Sequence, residues 1–264
     1  MLPSMCGRFT QTRAWSELVQ LYDITESPSP SNFAPRYNIA PTQDIAVVRP
    51  TADARKTGGS DRELVMLRWG LVPFWAKDVN VGARMINARA ESVRTKPAFR
   101  EPFRRRRCLI VADGFYEWRQ ENAEQKGAES GEIPAGRKTP ARKNTTVRKQ
   151  PYYITAAGGR PFALAGLWEQ WAPPGSQRLD TCTIVTTAAS DEIAWIHDRM
   201  PVMLEPARFG TWLNTAAPPE AAEALLRPYA GALAAQPVST RVNSVRNDDP
   251  HCIAPMSSGP DSLL

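Results

Sequence analysis

The sequence predicts an α+β fold: a single domain made mainly of antiparallel β-sheet or a partial barrel, with helices at its flanks. Three observations lead there. Short runs rich in Val, Ile and aromatic residues, bounded by Gly, Pro or Asp, recur along the chain. Few segments carry helical periodicity. The 264 residues, 42% hydrophobic and 23% charged, match a globular chain long enough to bury one large core.

The elements follow in order. Trp15, Leu18, Val19 and Tyr22 share one face of a helix over 14–22. Strands are expected over 45–48, 64–69, 108–118, 152–156, 162–168 and 182–187. The polar, Gly-containing stretch 51–61 reads as a hairpin loop. A helix over 206–213 starts with Pro in its first turn, and another covers 220–229. The segment 120–150 has no apolar periodicity and is rich in Glu, Lys, Arg, Gly and Ala, so it reads as a disordered insertion between two strands. The domain is therefore expected over 6–255, with 1–5 a leader or misassigned start and 256–264 a disordered tail.

No apolar run approaches the roughly 20 residues that span a bilayer, so no membrane partner is expected. The N-terminus is too short and polar for a secretory signal. Cys6, Cys108, Cys182 and Cys252 are scattered, with no CxxC pair; Cys108 and Cys182 fall in apolar strands and read as buried thiols. With two histidines and no paired Cys/His spacing, no metal is expected, and the compartment reads as reducing, hence cytoplasmic. The net charge is +6, and arginine outnumbers lysine 26 to 7. Arginine suits bidentate phosphate contacts, although base composition of the genome explains such a bias equally well.

The least ordinary feature is Met5-Cys6-Gly7-Arg8-Phe9. A methionine before a small residue is the setting in which the initiator is removed. Cys6 would then carry a free α-amine and a thiol, which titrate near about 7.7–8.0 and about 8.5 in model compounds. Such a 1,2-aminothiol condenses with an aldehyde to an imine and closes to a thiazolidine, the second step being intramolecular. The plainer alternative is a buried small residue near a frayed terminus.

Five further segments concentrate polar chemistry: Arg36-Tyr37-Asn38-Ile39-Ala40-Pro41, Trp69-Gly70-Leu71-Val72-Pro73-Phe74-Trp75, Asn87-Ala88-Arg89-Ala90-Glu91, Asp113-Gly114-Phe115-Tyr116-Glu117-Trp118 and His197-Asp198-Arg199-Met200-Pro201. With Met5-Cys6-Gly7-Arg8-Phe9, and in this order, they resemble the SRAP (SOS response-associated peptidase) family of abasic-site processing proteins. The resemblance runs from Cys6 to about Pro255. Family members begin Met-Cys, whereas this chain carries Met1-Leu2-Pro3-Ser4 in front.

The resemblance implies a DNA-damage protein that captures abasic sites in single-stranded DNA by a covalent thiazolidine link to Cys6, with lyase and self-reversal activity. It assigns Asn87 to hydrogen bonding near Cys6 and the sugar, Glu117 to acid–base work and His197 to proton shuttling. A carboxyl between Tyr116 and Trp118 suits a raised pKa, and a histidine suits both directions of transfer. Arg8, Arg89 and Arg199 would clamp phosphates, and Trp75 would stack on bases beside the lesion. His251 reads as structural. The run Arg104–Arg107 either tracks a DNA backbone or is a solvated edge. No cofactor is implied, and a monomer is the default. Two other readings stay open: an N-terminal-nucleophile peptidase or amidohydrolase using Cys6, and a non-catalytic single-strand binder.

Overall fold

The computed structural model describes residues 6–26, 33–57, 59–121, 148–175 and 177–256. The expected leader, nearly all of the 120–150 insertion and all but the first residue of the 256–264 tail lie outside the described residues. In chain order the elements are β1 (Phe9–Gln11), α1 (Trp15–Tyr22), β2 (Ile24–Glu26), β3 (Arg36–Ile39), β4 (Asp44–Pro50), α2 (Ala52–Thr57), β5 (Arg62–Trp69), β6 (Asn87–Arg89), α3 (Arg100–Arg105), β7 (Arg107–Ala112), β8 (Gly114–Glu121), β9 (Arg148–Ala156), β10 (Phe162–Trp171), β11 (Leu179–Ala188), β12 (Arg199–Pro201), β13 (Met203–Leu204), α4 (Pro206–Leu213), α5 (Pro219–Glu223) and β14 (Leu233–Pro237).

Strands β5, β4, β7, β10 and β11 are neighbours in that order. β11 returns to β5 through the parallel pairs Thr181–Arg68 and Cys182–Trp69, closing a five-stranded barrel. The barrel expected to be partial is thus complete. Closure removes the two edges that an open sheet of these strands would expose. A second sheet, β14-β9-β8-β1-β3, is antiparallel throughout.

Alternation along the strands sorts side chains between two cores. On β4, Ile45 and Val47 enter one, and Ala46 and Val48 the other. The second core takes Leu18 and Tyr22 of α1, Phe103 of α3, and Phe209 and Trp212 of α4, so the helices cover the outer face of the barrel. The first core joins the opposite face of the barrel strands to Phe9, Phe115 and Ile154 of the second sheet, so barrel and sheet share one core. Each such apolar side chain contributes about 1.5–3 kcal/mol on burial.

Three expectations change. The run 108–118 is not one strand: it breaks at Asp113 into β7 of the barrel and β8 of the second sheet. Asp113 holds the break by accepting from the Thr12 amide and hydroxyl and pairing with Arg13 at 3.2 Å. The 51–61 connection does join antiparallel strands, but it carries α2, whose start is held by the Ala54 amide donating to Thr51 Oγ1 at 3.1 Å. The helix expected over 220–229 stops at Glu223, where Leu225 and Leu226 switch to tighter bonds with Ala222 and Glu223 carbonyls. Pro228 would disfavour helical backbone at Arg227 in any case.

One glycine pair positions the loops beside the barrel. Gly70 sits at φ +129°, and a Cβ there would lie 2.7 Å from the Gly82 carbonyl oxygen. A Cβ on Gly82 would meet the Gly70 oxygen at 2.5 Å. Without side chains, the segment after β5 and the turn Val79–Arg84 pack backbone to backbone, which delivers the chain to β6.

Candidate active site

Three chain segments meet: the chain before β1, β8 and the start of β12. Cys6 precedes β1, is 3% exposed, and has φ +46°, in the left-handed region. Its backbone nitrogen, an amide to Met5 in this sequence, donates to Glu117 Oε1 at 2.7 Å. The contact follows from register: β1 pairs with β8 at Phe9–Phe115, and Tyr116 N–H bonds the Arg8 carbonyl, so the chain before Arg8 runs alongside Glu117. Burial pushes the Cys6 thiol well above its ordinary pKa. Glu117's charge and the hydrogen bond it accepts from the thiol add to the shift, and Arg199 opposes it. The resting sulfur is therefore a protonated thiol beside a proton acceptor.

Glu117 is 3% exposed, and burial raises its pKa; hydrogen bonds from Cys6 and the nearby His197 pull the other way. The raised direction matches the sequence expectation, but its cause differs. Tyr116 and Trp118 flank Glu117 in sequence and, by strand alternation, face the opposite side of β8. Tyr116 packs there with Tyr153, Val238 and Val242 and donates to the Tyr37 carbonyl at 2.7 Å. Trp118 Nε1 donates to Asn243 Oδ1 at 2.8 Å. Burial on the face of β8 that also carries Phe115 is what desolvates the carboxyl.

His197 lies just before β12. Its Nδ1 accepts from the Arg199 amide at 3.1 Å and lies 2.9 Å from Asp198 Oδ1. Nδ1 without a hydrogen accepts from the Arg199 amide, and Nδ1 carrying one donates to Asp198. β11 aligns the remaining groups: Asn87 stands opposite Ile184, Arg89 opposite Thr186, and Arg199 opposite Ala188. Arg199 donates to both carboxylate oxygens of Glu91 at 2.6 and 3.1 Å and to the Thr186 carbonyl at 2.8 Å. That pairing holds the Glu91 carboxyl below its usual range.

The other sequence-selected residues fall in different settings. Arg8 points into the fold, donating to Asn38 Oδ1 at 2.8 Å and to the Val242 carbonyl at 2.7 Å. Arg89 is exposed. Trp75 is 55% exposed, on a loop beside the equally open Phe74, so it is no core tryptophan. His251 sits in the turn Pro250–Cys252, its backbone amide bonded to Asp249, away from the cluster. All four cysteines are buried and unpaired, as expected for Cys108 and Cys182.

The arginine run splits. Arg104 and Arg105 are exposed on α3, and Arg106 pairs with Glu169 at 2.8 Å. Arg107 is 1% exposed and donates to the carbonyls of Trp212, Phe103 and Asn214 at 2.5, 2.7 and 2.6 Å. Desolvation lowers it to about 10. Sequence reading gave no individual role to Glu91, although its segment was singled out, and it missed Thr186, Arg119 and Trp195. The last two lie two residues from Glu117 and His197, a spacing that was the available signal.

The family model described as "SOS response associated peptidase (SRAP)" matches residues 5–245. Abasic site processing protein YoqW of Bacillus subtilis (strain 168) is 37% identical over 251 residues, covering 94% of this chain and 99% of that protein. Abasic site processing protein HMCES of Gallus gallus is 34% identical over 235 residues, covering 86% of this chain and 68% of that protein. Among solved structures, a Bacteroides thetaiotaomicron protein superposes with a TM-score of 0.74 at 23% identity, over 95% of this chain and all of that one, a likeness of fold. On the match along nearly its whole length, this chain belongs to the SRAP family.

Proposed function

We propose that the protein processes abasic sites in single-stranded DNA by covalent capture at Cys6, once the residues before it have been removed. The observation that carries this reading is the 2.7 Å contact between the Cys6 nitrogen and the buried Glu117 carboxylate, with the thiol of the same residue beside it. The names of the curated relatives point to the same substrate.

Freed from Met5, that nitrogen is an α-amine. It adds to the C1′ aldehyde of the ring-opened sugar, and loss of water leaves an imine. The thiol then adds across the imine carbon, its proton passing to the nitrogen, and closes a thiazolidine. The balance is aldehyde plus aminothiol giving ring plus water. Glu117 takes and returns protons at the amine and thiol. His197 moves protons in imine formation and in ring opening, and an imine at C1′ also permits β-elimination of the 3′ phosphate. Asn87 orients the sugar. Arg8 and Arg199 hold Cys6 and its partners in place, leaving Arg89 and Trp75 for phosphate and base.

The test uses chain whose intact mass shows Cys6 at the terminus. Incubation with a labelled single strand bearing one abasic site should give a heat-stable, slower band on a denaturing gel, absent when Met5 remains. An unshifted strand with the mature protein overturns the reading. If the same preparation hydrolyses amide substrates, the N-terminal-nucleophile hydrolase takes its place.

A further inference from the structure

Beside the reacting cluster stands a group of side chains that the mechanism does not use. Trp195 is 46% exposed, yet its ring is fixed on three sides. Its Nε1 donates to the Glu192 carbonyl at 2.8 Å, Tyr152 meets it edge-to-face at 5.0 Å and 83°, and the Arg119 guanidinium lies 5.1 Å from its centroid. Exposed tryptophans are costly, and one held rigidly in the open is organised in advance for a flat ligand.

Register sets this group next to Cys6. Arg119 follows Glu117 by two residues, so both lie on the same face of β8, about 7 Å apart along the strand. Along that face Phe115 lies in the core, Glu117 at the reacting nitrogen and Arg119 at the half-buried rim. Tyr152 is the cross-strand partner of Glu117. Trp195 precedes His197 by two residues, in the turn that leads to β12. The aromatic–guanidinium stack therefore borders the carboxylate on one side and the imidazole on the other.

The chemistry identifies what fits. Arg119 pairs with no carboxylate among the described residues. A guanidinium stacked on a ring keeps its in-plane N–H edge free for a phosphate, while the indole offers a π-surface to a base. We infer that Trp195 and Arg119 form a subsite for the unpaired nucleotide next to the lesion, its base on the indole and its phosphate on the guanidinium. This rests on the single-stranded DNA reading above. The subsite is sequence-tolerant, since every base has a π-face.

The experiment measures binding of a fluorescent single strand by anisotropy, across a series of salt concentrations, with parallel cross-linking to the abasic strand. Trp195→Ala should raise Kd about 5- to 100-fold and Trp195→Phe by less than about 3-fold. Arg119→Ala should also weaken binding and flatten the log Kd against log salt slope by about 0.7, the mark of one lost phosphate contact to a single strand. Trp195→Ala binding as tightly as the parent, or Arg119→Ala with an unchanged salt slope, overturns the inference. If Trp195→Ala does not fold, Arg119→Ala decides alone. A parent that binds the strand without cross-linking it sinks the capture mechanism, and the same Kd comparison still decides the subsite. A parent that binds no single strand sinks both.

Discussion

The Cys6 nitrogen and the Glu117 carboxylate, 111 residues apart in sequence, are joined by a 2.7 Å hydrogen bond inside the protein. Burial raises both the Glu117 carboxyl and the Cys6 thiol beside it, so the charged form of each is disfavoured where the two face each other.

Glu117→Gln should slow capture of abasic DNA by about 10²–10⁴-fold, since glutamine keeps the shape and cannot take a proton. It should also change stability with a definite sign. The folded value of Glu117 is raised, so its favourable contribution is full below the unfolded carboxyl value of about 4.3 and is lost as pH rises through the folded value. The Tm of Glu117→Gln minus that of the parent should therefore grow as pH rises from about 4.3 through the raised folded value in thermal melts. A difference that stays flat would mean the carboxyl is not desolvated.

Cys6→Ala should abolish the heat-stable cross-link while leaving non-covalent binding within a few-fold. In the proposed mechanism the thiol closes the ring, whereas phosphate contacts come from other side chains. Trapping by Cys6→Ala without added reductant would refute the thiazolidine.

His197→Ala should slow release of a pre-formed cross-link more than capture. Capture can draw on the unprotonated fraction of an α-amine that titrates within about a unit of neutrality. Release must expel a thiolate and hydrolyse an imine, both with a placed proton. A chase with excess unlabelled strand measures the release rate, and parent-like release would pass the shuttle role to Glu117.

Arg107→Ala should lower Tm by on the order of 10 °C, because three buried carbonyls lose their donor together. Arg105→Ala, from a side chain 71% exposed, should stay within about 0.5 kcal/mol of the parent. Equal melting shifts for the two would contradict the split within the arginine run.

How far the sequence could be read depended on the range of each signal. The Pro at the start of 206–213 and its apolar stripe are local, and α4 occupies those residues. The strands around Val47, Ile110 and Leu164 were legible from their composition. Closure through Cys182–Trp69 was not, because a parallel pairing between residues 113 apart leaves no local trace. The strings that resemble the SRAP family led to Cys6, Glu117 and His197, which the fold does bring together. The environment of Glu117 was misread because neighbours in a strand lie on opposite faces. Beyond their spacing from Glu117 and His197, nothing local marked Trp195 and Arg119, because their stacking joins a turn to a strand 76 residues away.

Arg8 anchors the strand behind Cys6 to the carbonyl of Val242, a residue made 234 positions later. On the ribosome the interval between the two is roughly 10–50 s at ordinary elongation speeds. Glu117 follows Cys6 after 111 positions, about halfway through that interval, and Val242 closes it. The surroundings of Cys6 are therefore set by long-range contacts that form only after most of the chain has been made.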